Sequence, residues 1–143
     1  MKKRIIVVED SNADYMAMSH AFRKFSADVD LVRYESGETV LNYLENNITE
    51  GEVKSNTLTM ILLDLNLPEM DGKTILNRLK NNVLLSLIPV VIFSSSANQR
   101  DILDCYRLGA NSYIQKPYSY PEMESLIFDL GNFWINRCEF PDC

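Results

Sequence analysis

Five times along this chain, a short run of apolar, often β-branched residues gives way to a stretch with helical spacing. "RIIVVED" (4–10) ends in two acids and reads as a buried strand. Behind it, "SNADYMAMSHAFRKF" opens on Ser11 with Asp14 three residues later, the spacing of a capping box. Tyr15, Met18, Phe22 and Phe25 then recur on one helical stripe. "VDLVRY" (29–34) predicts a second strand and "SGETVLNYLENN" (36–47) a second helix. "TMILLD" (59–64) is the third strand, and Ile75, Leu76 and Leu79, beyond an Asp-Gly turn at 71–72, mark a third helix. "IPVVIFS" (88–94) predicts a fourth strand, followed by a helix from Asn98 to Leu108 that Gly109 ends. "SYIQ" (112–115) is the fifth strand, closed by Lys116-Pro117, and Pro121 opens a last helix at its N1 position, running to about Ile135.

Near-continuous apolar strands joined by helical crossovers imply a parallel sheet covered on both faces. Right-handed crossovers then favour the flavodoxin-like strand order 2-1-3-4-5, a three-layer α/β fold of five βα units. A length of 143 residues suits a single domain over 1–143, with a core of about 4–135 and a tail of 136–143. Residues 48–57, "ITEGEVKSNT", carry no periodic apolar pattern and predict an exposed inserted loop.

Charge narrows the partners. At a net charge of −6, the chain lacks the clustered cations that nucleic acid or an anionic membrane requires, and "KKR" at 2–4 reads as a solvated strand start. No apolar run reaches the ~20 residues that span a bilayer. The charged start meets only a few apolar residues before Glu9 and Asp10, unlike a secretory signal, so a cytoplasmic protein is expected. Cys105, Cys138 and Cys143 fit no zinc or redox spacing. Reduced thiols are the expectation, with a Cys138–Cys143 bridge in the tail the less favoured alternative.

In sheets of this order, ligands bind beyond the carboxyl ends of the strands, at the switch point between strands 1 and 3. Glu9 and Asp10 end strand 1 and Asp64 ends strand 3. Neighbouring strands lie ~5 Å apart, so three carboxylates should converge there. Their repulsion in a partly dry cleft is costly unless a cation neutralises it, and hard oxygen ligands suit Mg²⁺. Ser94 at the end of strand 4 adds a hydroxyl, and Lys116 after strand 5 adds an ammonium. Acids, a metal, a hydroxyl and an ammonium around one aspartate suit phosphoryl transfer, with Asp64 as nucleophile and an aspartyl phosphate as product. Singly, each residue has a plainer reading. Asp64 could open a turn, Glu9-Asp10 could cap a helix, Ser94 could be a loop residue and Lys116 a solvated lysine. The set is far more specific than its members, because the groups must fall at four strand ends in the correct order.

The motifs "VVED" (7–10), "LLDLNLPEMDG" (62–72), "PVVIFSSS" (89–96) and "GANSYIQKP" (109–117) resemble those of response-regulator receiver domains of two-component signalling. The likeness runs from residue 4 to about 135. It implies that Asp64 accepts a phosphoryl group from a phosphohistidine on a sensor histidine kinase. It implies that Glu9, Asp10, Asp64 and the backbone carbonyl of Asn66 hold Mg²⁺. Ser94 would follow the phosphoryl group inward, Lys116 would pair with it, and Tyr113 would be the aromatic switch; the alternative for Tyr113 is strand packing with its hydroxyl at the surface. Ser95 stands where a smaller residue is usual. Together with the 48–57 insertion, the ending "NFWINRCEF" resembles the small stand-alone regulators that partner bacterial phytochromes.

Other functions fit less well. A Toprim-like Mg²⁺-dependent nuclease needs a further carboxylate where Asn66 stands, and a basic groove. A flavodoxin needs a phosphate cradle where this chain has "EDSNAD". A degenerate receiver acting only as a scaffold would normally lack the acids or the lysine. His20 reads as a solvated helix residue and not a phosphorelay group. With no stretch left for an output domain, the signal is expected to leave through a docking surface for an unknown downstream protein. In the last helix, Met123, Leu126, Ile127, Leu130 and Trp134 form the stripe facing the sheet, while Phe128 and Ile135 project elsewhere, predicting a homodimer surface.

Overall fold

The structure, a computed structural model, describes residues 3–47 and 58–140; the expected 48–57 loop and Cys143 lie outside the described residues. Strands β1 (Lys3–Val8), β2 (Val29–Tyr34), β3 (Leu58–Leu63), β4 (Val90–Ser94) and β5 (Ser112–Gln115) form one sheet in the order β2-β1-β3-β4-β5. Every pairing is parallel. Between and after the strands run α1 (Asn12–Phe25), α2 (Gly37–Asn47), α3 (Gly72–Lys80), α4 (Gln99–Arg107) and α5 (Tyr120–Gly131). The flavodoxin-like expectation holds. No helix among the described residues is long and apolar enough to cross a membrane.

Side chains alternate along a strand, so each strand feeds two cores. Ile6, Val8, Ile61, Leu63, Val90 and Ile92 meet α2, α3 and Cys105 of α4 on one face. Ile5, Val7, Met60, Leu62, Val91 and Phe93 meet Met18 and Phe22 of α1 and Met123, Ile127 and Leu130 of α5 on the other. β3 and β4, central and covered on both sides, are buried throughout, whereas the edge strand β2 is only partly buried. The β1–β3 register slips between Arg4 and Ile5, whose partners are Leu58 and Met60. Thr59 is the extra residue of this bulge, fully buried with its Oγ1 unpartnered.

The C-terminal end corrects two expectations. Ser119 caps α5, so Pro121 occupies the second helical position instead of the first. Beyond Gly131 the chain winds as a π-helix over Asn132–Arg137, with Cys138 N–H donating to the Phe133 carbonyl at 3.0 Å. A π-turn advances less than 100° per residue, so the α-helical projection fails there. Ile135 packs against the α1/α5 core instead of facing out, while Phe128 and Phe133 stay 53% and 57% exposed.

Candidate functional site

The strand ends converge as the topology requires. Glu9 and Asp64 lie one residue beyond β1 and β3, and their N–H groups still continue the ladder, donating to Tyr34 O at 3.0 Å and Val8 O at 3.1 Å. Ser94 is the last residue of β4, and Lys116, just past β5, donates its N–H to Ser94 O at 2.8 Å. Oxygen atoms of Glu9, Asp10 and Asp64 all lie within 4.8 Å of one another. Glu9 and Asp64 are buried, and Asp10 is exposed.

Lys116 Nζ reaches into this cluster. It lies 2.5 Å from Glu9 Oε1, 2.8 Å from Asp14 Oδ2 and 3.0 Å from Asp64 Oδ2. Burial disfavours the ammonium, but its bonds to Asp14 and Glu9 and the nearby Asp64 charge outweigh that and raise its pKa above lysine's ordinary value. Burial pushes the Glu9 carboxyl up to about 7; the bond to Lys116 opposes this and the Asp64 charge adds to it. A single ammonium therefore leaves the acids under-neutralised. Glu9, Asp14 and Asp64 share that one ammonium while Asp10 adds a further charge, and an oxygen-rich, net-negative pocket of this kind fits a hard divalent cation.

The backbone holds these groups in place. Asn66 N–H donates to Asp64 Oδ1 at 3.2 Å, with the Asn66 side chain exposed. Asp71 is the N-cap of α3, accepting from Thr74 N–H at 2.9 Å, so "DG" serves a helix start as well as a turn. Gly72 is required there. A Cβ would collide with the Asp64 carbonyl oxygen and come within 2.7 Å of Leu65 Cα. Arg33 clamps the loop after β1, donating to Glu9 O at 2.9 Å and Asn12 Oδ1 at 2.8 Å while its guanidinium stacks on Tyr15 at 4.9 Å.

Ser94 Oγ is buried and accepts from Ser96 N–H at 3.2 Å; Ser95 between them is exposed. Tyr113 is half-buried against the α2/α3/α4 core, and its hydroxyl donates to Ser96 O at 2.8 Å. Ser96 Oγ also donates to Asp101 Oδ2 at 2.7 Å, and Asp101 pairs with Lys73 of α3 at 2.7 Å. Asp14, Arg33 and Ser96 were not among the expected site residues. The legible signal for Asp14 was its place in the first turn of α1, since helical side chains tilt toward the N-terminus, here toward the strand ends.

A family model for the response regulator receiver domain matches residues 5–128. This chain belongs to the receiver domain family. It is 31% identical over 140 residues to the response regulator Rcp1 of Synechocystis, covering 97% of this chain and 93% of that protein. The probable methanogenesis regulatory protein FilR2 of Methanothrix harundinacea is 33% identical over 141 residues, covering 96% of this chain and 88% of its own length. The crystal structure of a phosphorylated cyanobacterial phytochrome response regulator, RcpA, superposes with a TM-score of 0.88 at 30% identity, covering 99% of both chains. A Mn²⁺-bound form of Rcp1 gives 0.84 at 30% identity, covering 97% of this receiver and 99% of that chain. The receiver is a response regulator of two-component signalling. Nothing supports a nuclease: the acids stand beside Lys116 at receiver strand ends.

Proposed function

We propose that the receiver is a phosphorylation switch in which Asp64 takes a phosphoryl group from a phosphohistidine. The observation that carries this reading is Asp64 itself, a buried carboxylate within 4.8 Å of two further acids and 3.0 Å from Lys116. An Asp64 oxygen forms the new bond to phosphorus as the phosphorus–nitrogen bond breaks, and the electron pair leaves with the donor imidazole. Glu9, Asp10, Asp64 and the Asn66 carbonyl would hold Mg²⁺, which supplies charge neutralisation at the phosphoryl oxygens. Lys116 pairs with those oxygens, and the Ser94 hydroxyl turns toward them, drawing Ser96 and Tyr113 with it. The same site releases the phosphate to water, so the only reactions it catalyses are its own phosphorylation and dephosphorylation.

Likeness to a phytochrome response regulator over the full chain supports a phytochrome-type sensor kinase as donor. A cytoplasmic place follows from that partner. The output is a docking surface for a downstream protein, and a homodimer through α5 is proposed with Phe128 and Phe133 as its exposed apolar groups. The test is labelling by acetyl phosphate or a phosphorylated phytochrome-type kinase. The parent should take up base- and hydroxylamine-labile phosphate and Asp64→Asn none, because an amide is a poor nucleophile. Equal labelling of that variant would overturn the assignment. Asp10→Ala should weaken Mg²⁺ binding by about tenfold or more, read by calorimetry.

A further inference from the structure

Asp14 shares the Lys116 ammonium with the proposed phosphoacceptor. An ammonium has three N–H donors, and Glu9, Asp14 and Asp64 stand around it at 2.5, 2.8 and 3.0 Å. Their exposures differ sharply: the side chains of Glu9 and Asp64 are 1% and 6% exposed, that of Asp14 41%. The carboxylate of Asp14 is not taken up by the helix cap. Ser11 Oγ accepts from the Asp14 N–H at 3.2 Å, and the Ser11 N–H donates to Glu9 Oε2 at 3.2 Å, where the return arm of a capping box would otherwise bond. Asp14 is thus an acid whose shortest contact is a group needed elsewhere.

Resting on the phosphoacceptor reading, we propose that Asp14 is a positioning residue that competes with the phosphoryl group for Lys116 and so weakens the hold on the phosphorylated state. Once Asp64 is esterified, its own oxygens lose their charge and the phosphoryl oxygens become the strongest anion in the pocket. Lys116 must turn a donor toward them. A carboxylate beside the ammonium keeps one donor occupied, cancels part of its positive charge and repels the incoming anion. Asp14 faces solvent, so its effect is a modest one, set by a partly screened charge. It tunes the switch without forming part of the metal's oxygen set.

Beryllofluoride, a phosphoryl mimic, tests this in saturating Mg²⁺, with amide resonances of Ser94 and its neighbours as the readout. Asp14→Asn should bind it about fivefold more tightly than the parent. Asp14→Glu, which keeps the charge, should stay within about twofold. Mg²⁺ affinity without beryllofluoride should be unchanged or slightly weaker in Asp14→Asn, because an anion near the acids has gone. A general loosening of the fold would weaken both ligands, so tighter beryllofluoride without tighter Mg²⁺ separates the loss of the Asp14 charge beside Lys116 from a structural effect. Equal or weaker beryllofluoride binding by Asp14→Asn overturns the proposal. Asp14→Ala carries the same expectation should the Asn variant fold poorly. A parent that binds no beryllofluoride overturns instead the phosphoacceptor reading on which this rests.

Discussion

Glu9 shows how one buried carboxyl links protonation to stability and to metal. Its ordinary pKa of 4.5 is pushed up to about 7 in the folded chain, with burial the largest cause. Between those values the native state retains a proton that the unfolded state has lost. Metal-free stability should therefore fall as pH rises from about 4.5 to 7, by about 1.4 kcal/mol per unit at most. Urea unfolding in EDTA across that window checks this, and Glu9→Gln, uncharged throughout, should flatten the slope. A slope unchanged by the substitution would assign it to other groups. The same reasoning makes Cys105 inert: buried in the core, its thiol is pushed up to about 11, so a reduced thiol is expected at that position from placement as well as from spacing.

At the level of elements, the site depends on close backbone approaches that side-chain chemistry alone does not reveal. α3 begins directly against the Asp64–Leu65 backbone, and Gly72 makes that possible. Gly72→Ala should cost about 1–3 kcal/mol in denaturant unfolding and disturb Asp64, since either α3 or the loop must retreat. The β3 bulge offers the opposite case. Thr59 Oγ1 is buried without a partner, so Thr59→Val should raise stability by about 1 kcal/mol, measured the same way. Lys73, bonded to Asp101 and Asp104, ties α3 to α4, and Ser96 joins that pair to Ser94 and Tyr113. Lys116→Ala should still accept some phosphate yet lose the beryllofluoride-induced shifts at Ser94 and Tyr113; shifts of parental size would remove Lys116 from the switch.

For the whole molecule, the question is what covers the side of α5. Phe128 meets Phe25 edge-on at 5.4 Å yet remains 53% exposed, and Phe133 is 57% exposed after the π-turn. Ile114, Leu126, Leu130, Phe133 and Trp134 line an adjoining groove of about 530 Å³ between β5 and α5. A symmetric pair of chains would bury this surface twice over. Light scattering should give a dimer for the parent and a monomer for Phe128→Glu/Phe133→Glu, with labelling at Asp64 retained. A parent that is monomeric at tens of micromolar, with and without beryllofluoride, would rule the dimer out.

Periodicity determined the fold. Runs such as "VVIF" and the helical stripe of Met18 and Phe22 are local patterns whose burial needs only a sheet with two covered faces. The acids at two strand ends were legible for the same reason: strand order converts sequence position into spatial position, and Glu9 and Asp64 follow from it. What the sequence could not determine depended on groups distant in the chain. Asp14 meets Lys116 across 102 positions, and Arg33 braces Glu9 across 24. Such partners are chosen by reach and competition among several acids and cations, which no local pattern encodes. Ile135 shows the converse limit. Its projection from a regular helix was sound until Gly131, beyond which the turn widened and the side chain went to the core. Local pattern decides which elements form and which way their faces point, but tertiary packing decides where an element changes its pitch and which charge answers another.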